Sequence, residues 1–384
     1  MDRISSLHES IQRHILCFLS MEDAIRTSVL SKSWRYVCFS LPLMEFSEQK
    51  FEDKKCKILF KDMVDRTLLL HDESDVKHFK LMYYSKTDLS MKHLNSWISF
   101  AVQHNVQQLT LSSFYRTIEQ LPPCLFICKT LTTLFLHNIN LKVPTVIRFP
   151  LLKTLELHFV SFDNLAIANH LFSNCCCPVL EDLAILHCEP ALKNNLNSLQ
   201  NIHKFVYSDI ELPNLSSEIL STISVAKFDH ATSLPTSSND TDPGFLDTPA
   251  SKILKRLQNV VRLTLEALYI ECYSALNMRN MEEYWQSKVL CTRDILKHLK
   301  IVQLDFFKGS ENELNLVRFL LLSASTLEKM SIKCFKHHLL EYLKKSTNVK
   351  DLSKYSEYLE NKMRISEKLL KFTRVSPDAS IDFS

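Results

Sequence analysis

Residues 131–136 read LTTLFL, and residues 152–157 repeat the same spacing as LKTLEL. Apolar residues stand at the first, fourth and sixth positions of both segments. From residue 74 onward this pattern recurs ten times, with successive centres 30, 25, 21, 28, 22, 18, 40, 41 and 26 residues apart. The ten centres are Phe79, Leu109, Leu134, Leu155, Leu183, Phe205, Ile223, Leu263, Leu304 and Met330.

Each copy of the pattern predicts one short strand, because alternate residues face opposite sides of a sheet. The apolar residues would then share a core, and the residues between them would line an open sheet face. The spacings mostly bracket the roughly 20–29 residues of a leucine-rich repeat, so an irregular leucine-rich-repeat solenoid is favoured. An ordinary closed α/β domain is the alternative. Helical spacing between strands predicts helices on the opposite side at Leu94, Trp97, Ile98, Ala101 and Val102.

Glycine is nearly absent: the 384 residues contain only Gly244 and Gly309. A Walker A loop, a dinucleotide fingerprint and a nucleophile elbow each need at least two closely spaced glycines. These enzyme classes are therefore excluded, and no catalytic residues are expected. The turns after the strands should use asparagines such as Asn138 and Asn140, which tolerate positive φ.

Charge and cysteine usage give no sign of a nucleic-acid or metal site. The 46 basic and 43 acidic residues are interspersed, whereas a phosphate-binding surface would cluster the basic ones. The 12 cysteines lack zinc-finger spacing, and Cys175, Cys176 and Cys177 are contiguous. They are expected to act as small buried apolar groups. The sequence therefore predicts no metal and no cofactor.

The sequence also gives no sign of membrane insertion. No apolar run approaches the roughly 18 residues needed to span a bilayer. The first twenty residues are too polar for a secretory signal. The expectation is a soluble intracellular chain in the nucleus, the cytoplasm or both.

The first forty residues predict three short helices. Residues 4–19 form an amphipathic pattern with a potential capping box at Ser6 and Glu9. Ser20 would begin a second helix, and residues 31–38 a third. So small a unit buries little core, so apolar surface should stay exposed and need a partner. A simple helical cap on the repeats is the alternative.

Three strings in this region, DRISSL at 2–7, HILCFL at 14–19 and TSVLSKSWR at 27–35, resemble a plant F-box in order and spacing. The resemblance implies docking onto the Skp-type adaptor of a cullin-based ubiquitin ligase. The family usually has proline where this chain has His8, and its loss should weaken the helix start modestly. The adaptor-binding face is assigned to Leu7, Ile11, Ile15, Leu16, Leu19, Val29, Leu30 and Trp34.

Near the other end, LKIVQLDFFKG at 299–309, ELNLVRFL at 313–320 and RVSPDASI at 374–381 resemble the FBD domain of plant F-box proteins. Ser310 with Glu313 predicts a capped helix after Gly309. Terminal repeats must shield an open core, so this region is expected to close the array. Residues 335–365 depart from the family pattern and predict a solvated helical insertion.

Together these features predict an α/β chain: an N-terminal three-helix F-box at 1–46, an irregular leucine-rich-repeat solenoid at 47–297, and a closing FBD-like C-terminal region at 298–384. A Pro- and Ser-rich stretch at 231–250 predicts a flexible insertion. The expected function is a non-catalytic ligase subunit whose repeats capture a target protein for ubiquitination. A repeat scaffold outside any ligase and an enzyme with an unfamiliar site are the alternatives. The target, and any need for a small molecule, stay open.

Overall fold

The computed structural model is a mixed α/β fold whose chain divides into two units, Met1–Leu199 and Gln200–Ser384. The insertion predicted at 231–250 lies outside the described residues. So do residues 335–348 of the insertion predicted at 335–365. The structure describes residues 4, 6–49, 60–84, 91–115, 117–164, 170–189, 196, 199–208, 215–229, 257, 259–266, 296–334 and 349–383.

Three short helices open the first unit: α1 (Glu9–Leu16), α2 (Met21–Thr27) and α3 (Lys32–Cys38). The predicted helix starts at Ser20 and Ser31 are confirmed, since each hydroxyl caps its helix by accepting a backbone N–H.

The capping box predicted at Ser6 and Glu9 is wrong, because α1 begins later and His8 is its N-cap. The His8 Nδ1 atom accepts the backbone N–H of Ser10 at 3.3 Å. An imidazole nitrogen therefore satisfies a helix-start donor that proline at this position would have left to solvent.

A parallel sheet follows the three helices in the first unit, with strand order β1-β2-β3-β4-β6-β8. Helix α4 (Phe60–Leu70), helix α5 (Met91–Gln103) and a 3-10 helix (Pro123–Ile127) lie between strands along the chain, and β5 (Asn140–Leu141) pairs separately with β7 (Ser161–Phe162). The six strands are β1 (Leu43–Ser47), β2 (His78–Tyr83), β3 (Gln108–Ser113), β4 (Thr133–His137), β6 (Thr154–His158) and β8 (Asp182–Leu186).

The predicted repeat centres pair directly across this sheet. One buried row contains Met44, Phe79, Leu109, Leu134, Leu155 and Leu183. A second row, two residues further along each strand, contains Phe46, Leu81, Leu111, Leu136, Leu157 and Ile185. Every side chain in the two rows is at most 3% exposed. The alternation read from the sequence is therefore confirmed here, with β1 as an additional strand that it missed.

The second unit holds another parallel sheet, in the order β9 to β14. The helices among its described residues are α6 (Ser217–Thr222), α7 (Glu311–Ser323) and α8 (Val349–Leu370). The strands are β9 (Lys204–Ser208), β10 (Val225–Asp229), β11 (Arg262–Glu266), β12 (Ile301–Asp305), β13 (Lys329–Lys333) and β14 (Ser380–Phe383).

Two predicted centres in this unit are wrong. Ala226 and Val302 occupy the row that Phe205, Leu263 and Met330 share. Ile223 instead ends α6 as its C-cap, and Leu304 lies two residues further along β12. Alanine is too small to mark a strand centre in an apolar pattern, which explains the miss at Ala226. On β12, Val302 and Leu304 are two residues apart and face the same side, so the pattern fits either of them as the centre.

Positive φ follows several strands, as expected, but the residues differ. Asn138 has φ of 57°, which confirms its prediction, whereas Asn140 lies in strand β5. Phe159 and His187, the residues directly after β6 and β8, both have φ of 53°. Because phenylalanine seldom adopts this conformation, sequence preference gives no hint of it at Phe159.

At the C-terminal end, the capping box of Ser310 and Glu313 at the start of α7 is confirmed. Helix α8 confirms the helical character predicted for residues 349–365 and continues to Leu370. None of the helices among the described residues is both long and apolar enough to cross a bilayer.

Candidate functional site

The three N-terminal helices pack around a small core of their own. Leu16 and Trp34 are 1% and 2% exposed, and Val37 is fully buried. Gln12 lies among them with no solvent exposure. Its Nε2 donates to the Leu7 carbonyl at 3.0 Å, and its Oε1 accepts from the Ser33 hydroxyl at 2.8 Å. Since a buried amide needs both kinds of partner, Gln12 fixes α1 against the preceding turn and against α3.

Outside this core the module leaves large apolar side chains in solvent. We define the apolar helical surface as a set of six residues that are between 37% and 78% exposed. They are Ile11, Ile15, Phe18, Leu19, Val29 and Leu30. Scattered exposed apolar residues are normal on a protein, but six within twenty residues of one small module are typical of a binding surface.

The structure divides the eight predicted adaptor-binding residues into two groups. Leu16 and Trp34 lie in the helical core, so we correct their assignment to the docking face. On α1 the buried stripe passes through Gln12 and Leu16, and the neighbouring stripe of Ile11 and Ile15 faces solvent. Leu7 is half-buried. The exposed members are Ile11, Ile15, Leu19, Val29 and Leu30.

The amphipathic pattern of residues 4–19 includes Phe18, but the predicted adaptor-binding set left it out. Phe18 is 77% exposed and packs its ring edge-on against His14 at 4.9 Å between centroids. Phe18 lies seven residues after Ile11 and three after Ile15. That spacing places all three on one side of a helix, and it was the signal available to find Phe18.

Two thiols lie in this module, and neither is activated. Burial raises the pKa of Cys17, and the nearby Arg13 only partly opposes it. Burial raises the pKa of Cys38 to about 11. A protonated thiol is a poor nucleophile, so neither cysteine is primed for covalent chemistry.

A second candidate surface is a row of rings at the carboxyl ends of the first unit's strands. We call it the ring ladder; it consists of Tyr84, Phe114, His137, Phe159 and His187. Successive ring centroids are 4.2, 5.0, 5.5 and 4.7 Å apart, within the range of favourable aromatic contacts. Phe114 and Phe159 are 42% and 49% exposed, so the ladder presents ring surface to solvent.

The backbone beneath the ladder is held by hydrogen bonds from one repeat to the next. The N–H of Asn138 donates to the carbonyl of His158 at 2.9 Å, and the N–H of Phe159 donates to that of Leu186 at 2.8 Å. These bonds secure the left-handed conformation at Asn138 and Phe159. Left-handed backbone at a bulky residue costs about 1–2 kcal/mol, and such strain is often found at functional sites.

The open face of the first sheet is mildly acidic. Glu45 lies 3.7 Å from both His78 and Lys80, while Glu156 and Asp182 lie on other strands. Burial lowers the pKa of His78, and Glu45 partly opposes that shift. Burial therefore favours the neutral form of His78, so this residue does little to offset the carboxylates on the same face.

Three family models match separate parts of the chain. The F-box domain matches residues 4–46, which contain the apolar helical surface. The model described as "FBD-associated F-box protein At5g56370, LRR repeats" matches residues 94–221, and FBD matches residues 294–332. The chain belongs to the plant F-box/FBD/leucine-rich-repeat family.

Relatives from Arabidopsis thaliana agree with this membership. "FBD-associated F-box protein At4g10400" is 32% identical over 231 residues, covering 59% of this chain and 53% of the relative. "F-box protein At4g09920" is 33% identical over 189 residues, covering 48% of this chain and 58% of the relative. The chain thus spans about half the length of the curated F-box relatives that it matches.

Proposed function

We propose that this chain is the substrate-recognition subunit of a Skp-cullin-F-box ubiquitin ligase. In this proposal, the F-box helices dock onto a Skp-type adaptor, and through it onto a cullin. The repeats capture a target protein. The chain itself carries no catalytic step, because ubiquitin transfer takes place on other subunits.

The observation that carries the proposal is the apolar helical surface. Val29 and Leu30 are 78% and 62% exposed in the short turn between α2 and α3, and Phe18 is 77% exposed just after α1. Burying one such side chain against a partner would stabilise a complex by up to about 1.5–3 kcal/mol. Residues this exposed contribute little to the module's own stability, so a binding role explains them better than a packing role.

Target capture is proposed for the open sheet faces and the ring ladder. Binding there would raise the effective concentration of the target beside the ubiquitin-charged enzyme, which accelerates transfer without a nucleophile or metal on this chain. We propose that the FBD-like end closes the repeat array, with β14 and helix α8 shielding its last strands. We also propose that the chain acts in the nucleus or the cytoplasm, where cysteines stay reduced.

The decisive experiment is a binding titration of the full chain with a purified Skp-type adaptor. The variant carries Val29→Asp and Leu30→Asp, two exposed positions whose change leaves the helical core intact. Leu69→Asp is the matched control, because Leu69 is 84% exposed but lies at the end of α4, outside the F-box. Leu16 and Trp34 are unsuitable, since charge at either buried position would unfold the module.

We expect the double variant to lose at least about tenfold in affinity, as hot-spot residues do, and the control to bind like the wild type. Equal binding by all three proteins would move the docking site away from the apolar helical surface. Absence of binding by a well-folded wild type would overturn the ligase proposal and favour a repeat scaffold that acts outside the ligase.

A further inference from the structure

The loop at residues 170–177 in the first unit gathers donors that suit a metal ion. One nitrogen of His170 and the sulfurs of Cys175 and Cys176 all lie within 4.8 Å of one another. Among the residues that the structure describes, no other group of His, Cys, Asp or Glu donors meets this condition. The cluster is distant in sequence from the F-box, and the adaptor proposal does not use it.

The spacing of these donors is close to what tetrahedral zinc requires. With Zn–S bonds of about 2.3 Å and Zn–N bonds of about 2.0–2.1 Å, tetrahedral angles put two sulfurs about 3.8 Å apart and a sulfur and nitrogen about 3.6 Å apart. The Cys176 Sγ atom lies 3.3 Å from Nδ1 of His170. A shift of a few tenths of an ångström would therefore bring this pair to coordinating distance.

Backbone hydrogen bonds hold the loop in this shape without a metal. The carbonyl of Ser173 accepts the N–H groups of Cys176 and Cys177, each at 3.0 Å. The carbonyl of Cys176 accepts the N–H of Phe149 at 2.8 Å, which fastens the loop to the preceding repeat. Because the donors are already positioned, ion binding would cost little chain entropy.

The three contiguous cysteines differ in their contacts. The Ser173 hydroxyl oxygen lies 2.9 Å from the sulfur of the exposed Cys175. The Cys176 sulfur contacts the His170 ring nitrogen. Cys177 is excluded from the set, because its buried sulfur donates to the Leu171 carbonyl at 3.5 Å instead.

We propose that His170, Cys175 and Cys176 form a binding site for a thiophilic divalent cation, zinc in the first place. Two thiolates and one imidazole are ligands that zinc prefers, and three protein donors leave a fourth position for water or for a group on a bound molecule. Each thiol gives up its proton to solvent as its sulfur binds the ion, so binding weakens as pH falls. The Ser173 hydroxyl donates to the His170 carbonyl at 2.6 Å, which ties the His170 backbone to the loop that carries the two cysteines.

This site was not visible in the sequence, where the contiguous cysteines match no zinc-finger spacing. The sequence prediction of no metal treated the cysteines as one buried group. The fold separates them: Cys175 points to solvent, Cys177 faces the interior, and the turn brings His170 back beside Cys176.

The test is a titration of the full chain, metal-free and reduced, with Co2+ followed by Zn2+. Tetrahedral cobalt bound by thiolates gives visible d–d absorption and a near-ultraviolet charge-transfer band, which an incidental surface site does not. The test variants are Cys175→Ser and His170→Ala, both at exposed positions where folding is undisturbed. Cys124→Ser is the control, since Cys124 is also partly exposed and its sulfur lies 3.4 Å from the Ser99 hydroxyl, outside the cluster.

We expect one-to-one cobalt binding with both bands, displacement by Zn2+, and affinity at least about tenfold weaker in either test variant. Cys124→Ser should match the wild type. The proposal is overturned if the wild type shows no thiolate band. It is equally overturned if the band persists at full strength in Cys175→Ser and His170→Ala, because the metal would then be bound elsewhere in the chain.

Discussion

The helical module at residues 9–38 and the sheet of the same unit treat their apolar side chains in opposite ways. Along the sheet, both apolar rows are at most 3% exposed, because each strand is covered by its neighbours and by the layer behind them. In the module, Phe18 and Val29 are more than three-quarters exposed. The difference indicates that the sheet is complete without a partner, whereas the module leaves apolar surface for one.

Module size explains this contrast. Helices of eight, seven and seven residues have only about two turns each, so each can bury one stripe. Those stripes meet at Leu16, Trp34 and Val37, and in the described part of the chain no second layer covers the outer stripes. A short helical unit with apolar residues on two sides therefore buries one side and leaves the other exposed.

The largest expected effect concerns the difference between buried and exposed apolar residues within the module. Trp34→Ala removes a side chain that is 2% exposed and should lower the free energy of unfolding by about 3–5 kcal/mol. Val29→Ala, at a position 78% exposed, should change it by less than about 0.5 kcal/mol. Hydrogen exchange of the amides in residues 9–38 measures both values locally. Similar losses in the two variants would show that Val29 supports the fold and is not free for a partner.

Helix α8 in the second unit is an intermediate case. It exposes Met363 and Leu370 at 67% and 74% but buries Ile365 and Leu369. Asn361 also donates to the Lys308 carbonyl at 3.3 Å, and Lys368 pairs with Glu311 at 2.7 Å. This amphipathic helix thus has a docking partner within its own unit.

The second prediction tests that internal docking through Gly309, whose φ is 79°. A Cβ there would lie 2.4 Å from Cγ1 and Cδ1 of Ile365, so Gly309→Ala should cost about 1–3 kcal/mol through overpacking and strain. Exchange of the α8 amides would report the loss.

Adding Ile365→Ala separates the two causes. It removes both clashing atoms, so the further cost of Gly309→Ala in that background should fall to the backbone strain alone. An unchanged cost would mean that the contact between Gly309 and Ile365 does not hold α8 in place.

Sequence reasoning succeeded where one local pattern determines the outcome. The rows through Leu134 and Leu155, and the helix starts at Ser20, Ser31 and Ser310, follow from side-chain alternation and capping chemistry. It failed where neighbours in space decide. Leu16 and Ile15 are adjacent and equally apolar, and only the packing of α3 determines which is buried. The residues at 170–177 likewise converge through a turn that spacing alone does not indicate.

The smallest expected effect concerns the ring ladder, which shares features of both regions. Phe159→Gly loses two ring pairs, with His137 and His187, worth about 0.5–1.5 kcal/mol each, but it relieves left-handed strain of about 1–2 kcal/mol, so the net change in stability should be small. Phe114→Ala loses similar contacts to Tyr84 and His137 without such relief, because Phe114 does not have positive φ. It should therefore be the less stable variant, by about 1 kcal/mol.

Urea unfolding of the two variants distinguishes two roles for the ladder. If Phe159→Gly destabilises as much as Phe114→Ala, the ring at 159 is there to hold the repeats together. If it is neutral, the ring contacts of Phe159 only offset the backbone strain there, so phenylalanine at this position gives the fold no net stability. The ladder would then resemble the apolar helical surface rather than the buried rows: side chains kept outside for something to bind.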